Sequence, residues 1–132
     1  MDKMEMLMDE MLSLKKWAVV GATQNPSKFG NRIYKKLLAH DYEVTPINPV
    51  YETVEGVTCL DSLKDMTEKP DCVSVVVGPD KAIGVVQDAI DLGIKRLWFQ
   101  PGTFDENVLD LAENNGLEIV FYNCVLVELD KR

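Results

Sequence analysis

Residues 16–38 read KWAVVGATQNPSKFGNRIYKKLL. Residues 17–20 form the short apolar run that a buried strand needs, Gly21 closes it, and a polar loop leads to 30–40, where Ile33, Leu37 and Leu38 recur at helical spacing. A strand that ends in glycine and feeds a helix aims free backbone N–H groups and the helix dipole at the space beyond it. That space suits an anion.

Outward from this unit the same alternation continues. A second strand is expected over 43–47, ending at Asn48-Pro49, then a minor extended piece over 57–60 and a short helix over 62–66 with Ser62 as N-cap. The almost wholly β-branched run 73–77 is a third strand, stopped by Gly78-Pro79. Pro79 opens a helix through Leu92, and Gly93 ends it. A fourth strand over 97–99 breaks at Gln100-Pro101-Gly102; a helix over 105–115 and a fifth strand over 117–121 follow, and the tail NCVLVELDKR is apolar enough to pack on the domain. At the other end Met4, Leu7, Met8, Met11 and Leu14 mark an amphipathic helix over about 2–14, its methionine stripe packed on the same domain.

Strands alternating with helices at this spacing predict an α/β fold: a doubly wound, Rossmann-like parallel sheet of about five strands with helices on both faces. Right-handed crossovers leave few topologies, of which the order 3-2-1-4-5 is expected. The 132 residues suit a single domain, residues 1–132.

With 14 basic against 22 acidic residues the net charge is -8, which repels polyanions and excludes nucleic acid as a partner of the surface as a whole. No apolar run reaches the roughly 18 residues of a membrane span, and the start lacks a basic segment followed by an unbroken apolar one, so a cytoplasmic protein with no membrane contact is expected. Cys59, Cys72 and Cys124 are widely spaced with no CxxC pair, which points to reduced thiols and no zinc. The single histidine, His40, falls at a helix end, and no pair of acids is expected among the strand ends, so no catalytic set can be built there.

Ligands of such sheets bind at the carboxyl ends of the strands. The Walker pattern GxxxxGK[ST] fails after Gly21. GxGxxG fails too, because Thr23 stands at the second glycine position, and Asn48-Pro49 stands where an acid should hold a ribose 2′-OH. What remains is a loop of eight residues between Gly21 and Gly30, with hydroxyls at Thr23 and Ser27 and a cation at Lys28. It could embrace a pyrophosphate through N–H groups, hydroxyls and one ammonium. It also fits an ordinary strand-to-helix connection with Ser27 as N-cap.

Taken together, VVGATQNPSKFGNRI, VTPINPVYETVEGVTCLDSL, the VVVGP strand end, LWFQPG and the NCVLVE tail resemble the stand-alone CoA-binding domain proteins, which are similar to the N-terminal domain of the succinyl-CoA synthetase alpha subunit. The resemblance spans residues 16–128. It implies that Gly21, Ala22 and Thr23 line a diphosphate site, that Ser27, Lys28 and Gly30 shape the loop, and that Arg32 is an anion partner. Asn48 and Pro49 would border the adenosine end, flanked by Val77, Gly78 and Pro79, and Gln100, Pro101 and Gly102 would close the pantetheine side. In the synthetase subunit a lysine follows the Asn-Pro; here Val50 and Tyr51 do. The resemblance implies a small-molecule nucleotide partner, CoA or an acyl-CoA, held by a monomer or weak homodimer without chemistry of its own. An NAD(P)-binding enzyme or sensor and a structural or regulatory interaction protein without a ligand are the alternatives.

Overall fold

The computed structural model describes residues 2–132; Met1 lies outside the described residues. Helix α1 (Lys3–Ser13) leads into β1 (Lys16–Val20), α2 (Phe29–Ala39) and β2 (Glu43–Ile47). A small antiparallel hairpin, β3 (Thr53–Val54) and β4 (Val57–Thr58), precedes a 3-10 turn at Leu63–Asp65 and then β5 (Cys72–Val75). The chain continues through α3 (Pro79–Leu92), β6 (Arg96–Phe99), α4 (Glu106–Asn114), β7 (Glu118–Val120) and α5 (Val125–Asp130).

The other five strands form one parallel sheet in the order β2-β1-β5-β6-β7. The α/β class stands, but the strand order is corrected: counting only these five, it is 2-1-3-4-5, the flavodoxin-like order, and not 3-2-1-4-5. The physical reason lies in β2. Glu43 N–H donates to Lys15 O and Gly21 N–H to Ile47 O, so odd-numbered residues of β2 bond toward β1 and Pro46 faces outward. A proline has no N–H to give a further strand, so it belongs at a sheet edge. The wholly buried β5 takes the interior place on the other side of β1.

Alternation along each strand sorts the core into two halves. Trp17 and Val19 of β1 pack with Met8 and Met11 of α1, Ile33 and Leu37 of α2, and Val125 and Leu129 of α5. Ala18 and Val20 face the opposite way, against Val86 and Ala89 of α3 and Val108 of α4. The methionine stripe of α1 is thus part of the core, and the tail packs as a short helix. Asp2 caps α1 through Glu5 N–H (2.8 Å) and Asp105 caps α4 through Val108 N–H (2.9 Å). Pro79 opens α3 and Gly93 ends it in the left-handed region (φ 75°). The third strand stops at Val75, short of the expected Val77.

Candidate functional site: a cleft at the switch point

From β1 the chain moves outward to β2, then crosses back to β5 on the other side, so the crevice between the carboxyl ends of β1 and β5 is the switch point of the sheet. Two glycines set its geometry. Gly21 has φ 101°, and a Cβ there would stand 2.4 Å from Val76 O. A Cβ on Gly30 would stand 2.0 Å from Gly21 O, so the first turn of α2 lies directly on the end of β1. These are the tight-turn and helix-packing glycines of a dinucleotide loop; the intervening one, which admits a close pyrophosphate, is Thr23.

The loop is tied down from inside. Thr23 Oγ1 accepts from Asn25 N–H (3.2 Å) and shares a 2.8 Å hydrogen bond with Tyr51 OH. Ser27 does not cap α2: its hydroxyl donates to Asn25 Oδ1 (2.7 Å), and Lys28 occupies the N-cap position without a side-chain bond to the helix. The N–H groups of Phe29 and Gly30 therefore have no acceptor among the described residues. Helix α3, which also begins at the crevice, likewise lacks a side-chain cap. Underneath, the wholly buried Asn31 donates from Nδ2 to Thr23 O (2.9 Å) and Glu55 Oε2 (3.1 Å), Gln24 Nε2 donates to Thr53 O (2.8 Å), and Asn48 Nδ2 donates to Ala22 O (2.9 Å). The β3–β4 hairpin thus straps the loop to the edge of the sheet.

Above the loop opens a cleft of about 700 Å³, within the range of small-molecule sites. It collects most of the residues singled out in the sequence: Gly21, Thr23, Ser27, Lys28, Gly30 and Arg32 from the loop and α2, and Asn48, Val77, Gly78, Pro101 and Gly102 from the other strand ends. A second cavity of about 270 Å³ shares Gly21, Asn48 and Val77 with it and adds Pro49, over an apolar floor that includes Val20, Ile47 and Leu63. Three expected residues line neither. Ala22 is buried, Pro79 is the first residue of α3, and Gln100 is an internal brace, donating to Ser74 Oγ (3.1 Å) and accepting from Val125 N–H (3.1 Å).

Lys81, Tyr51 and Asn31 were not expected at the site; the first two line the cleft and the third supports its loop. Two acids away from the strand ends, Asp61 and Asp88, line the smaller cavity, Asp88 at 3.5 Å from Lys64 Nζ. The cleft's cations, Lys28, Arg32 and Lys81, have no carboxylate partner among the described residues, as is also true of Lys3, Lys15, Lys69 and Lys95 outside it; Lys16, Lys35, Lys36, Lys64, Arg96, Lys131 and Arg132 are paired. Burial pushes the Cys59 thiol up, and that of Cys72 to about 12. Cys124 is the N-cap of α5 and lines neither cavity.

A family model described as "CoA binding domain" matches residues 15–130, from the residue before β1 to the end of α5. The chain belongs to the CoA-binding domain family. A hypothetical protein from Pyrococcus horikoshii is 35% identical with a TM-score of 0.91, covering 98% of this chain and 92% of its own. A conserved hypothetical protein from Pyrococcus furiosus is 40% identical with a TM-score of 0.83, covering 86% of this chain and 98% of its own. An ADP-forming acetate–CoA ligase of Archaeoglobus fulgidus is 26% identical over 128 residues, 89% of this chain but 19% of the ligase. The family thus occurs both as small chains of this size and as a fraction of a much larger ligase. Among the described residues no helix is long and apolar enough to cross a membrane.

Proposed function

We propose that this chain binds CoA or an acyl-CoA in the switch-point cleft, as a binding module without chemistry of its own. The observation that carries the reading is the open N-terminus of α2, with its unbonded Phe29 and Gly30 N–H groups and the unpaired Lys28 and Arg32 beside them. Orphan N–H groups, a helix dipole and two cations favour a diphosphate. Thr23 keeps it farther from the backbone than a glycine would, so the hold is looser than in a dinucleotide loop. Asn48 and Pro49 border the adenosine end, and Pro101 and Gly102 flank the pantetheine arm. NAD fits less well, because Asn48 closes β2 where an acid would take the ribose hydroxyls. Three free cysteines suit a reducing, cytoplasmic setting.

Thermal unfolding with CoA, acetyl-CoA, dephospho-CoA, NAD and NADP tests this. A ligand at 100 times its dissociation constant adds about 2.7 kcal/mol, roughly a 10 °C rise for a chain of this size. The expected pattern is a rise with CoA compounds and little with NAD. A clear rise with NAD alone, or none with any ligand, overturns the reading.

A further inference from the structure

We propose that Lys81 reads the 3′-phosphate of CoA and makes this chain prefer CoA to dephospho-CoA. The inference rests on the CoA reading above and adds a residue that decides specificity. Among the described residues Lys81 is the only cation that lines both cavities, and the only one of any kind on the smaller. The smaller cavity has the apolar floor that a flat heteroaromatic base needs, with Pro49 at its wall. The larger holds the diphosphate loop. A nucleotide lying across the two puts its ribose at the seam, where they share Gly21, Asn48, Val50, Val77 and Lys81. A phosphate on that ribose needs a cation there.

The other charges around the seam leave Lys81 as the one candidate. Asp61 and Asp88 on the smaller cavity repel a phosphate, and Lys64, which lines neither cavity, is paired with Asp88 at 3.5 Å. Lys28 and Arg32 line only the larger cavity, at the α2 end. After Asn48-Pro49 come Val50 and Tyr51, so the β2 side supplies no cation. Asp80, beside Lys81 in the chain, lines the larger cavity but forms no ion pair with it among the described residues. Lys81 is exposed on the first turn of α3, and its side chain is free to close on a ligand.

Calorimetric titration of the intact chain with CoA and with dephospho-CoA, at low and at moderate salt, is the test. The wild-type chain should favour CoA about tenfold, the size of one charge-assisted contact, with the preference shrinking as salt rises. In Lys81→Met the ratio of the two affinities should fall to about one, while in Lys95→Met, the same charge change outside both cavities, it should stay near the wild-type value. Equal wild-type affinities, or a ratio that survives in Lys81→Met, overturn the role of Lys81 while leaving the CoA reading intact. A wild-type chain that binds neither compound overturns both.

Discussion

Replacing Gly30 by alanine tests the joint between α2 and β1. Gly30 lies in the first turn of an exposed-sided helix, where alanine would ordinarily gain about 1 kcal/mol over glycine. Here the new methyl would stand 2.0 Å from Gly21 O and 3.0 Å from Gly21 C, against an ordinary contact of about 3.4 Å, so helix and strand would have to part by about 1.4 Å. Neither side can yield cheaply: Gly21 N–H is bonded to Ile47 O, and Asn31, the next residue, is fixed to Thr23 O. Overpacking costs about 1–3 kcal/mol, and a backbone-to-backbone clash falls at the upper end. Net of the propensity gain, Gly30→Ala should lose about 2 kcal/mol, a fall in Tm of roughly 8 °C. Gly84→Ala, in the middle of α3 with nothing within 4 Å of the new methyl, is the matched control and should gain about 0.5–1 kcal/mol. Thermal and urea unfolding followed by circular dichroism read both. A Gly30→Ala chain as stable as wild type would refute the close approach, and with it the account of why the loop runs from glycine to glycine.

Two further outcomes follow from the same geometry. Tyr51→Phe removes the 2.8 Å bond to Thr23 Oγ1; it should cost about 1 kcal/mol of stability and weaken CoA severalfold by loosening the loop, and unchanged unfolding and titration would show that bond to be idle. Alkaline unfolding should be pronounced. The Cys72 thiol, at about 12 when folded against about 9 when exposed, keeps its proton in the folded chain where the unfolded chain has lost it, so its contribution is complete below pH 9 and disappears as pH rises toward 12, by up to about 1.4 kcal/mol per pH unit. Burial raises Cys59, Tyr34 and Tyr42 in the same direction. Unfolding free energies that stay level between pH 9 and 11 would contradict this.

The alternation of strands and helices was legible because each buried parallel strand is a near-continuous apolar run and punctuation marks some of the helix ends, as at Pro79 and Gly93. Strand order was not, since it depends on which side of β1 the chain returns to, although Pro46 within the second strand carried the answer. The β3–β4 hairpin escaped because its strands are two residues long; the signal was Glu55-Gly56, both at positive φ (49° and 78°) as a tight hairpin turn requires. With the hairpin unseen, Tyr51 could not be linked to Thr23. Backbone-defined members of the site, such as Gly21 and Gly30, were readable from the loop itself. Lys81 and Tyr51 were not, because they reach the cleft from a helix surface and from the loop ahead of the hairpin, whose facing is decided by tertiary packing.

Pro46 also bears on how the chain behaves among its own copies. An exposed parallel strand with a full row of N–H and C=O groups would invite a neighbouring chain to add a strand, the first step of edge-to-edge aggregation. Here the outer side of β2 lacks a donor at 46, and the Pro46 carbonyl is already taken by Leu60 N–H (3.0 Å), while Asn48 N–H is satisfied by Leu60 O (2.8 Å). At the opposite margin β7 is only three residues long. Both margins of the sheet are thus poor templates, which protects the chain from polymerising through its strands even when the cleft is empty.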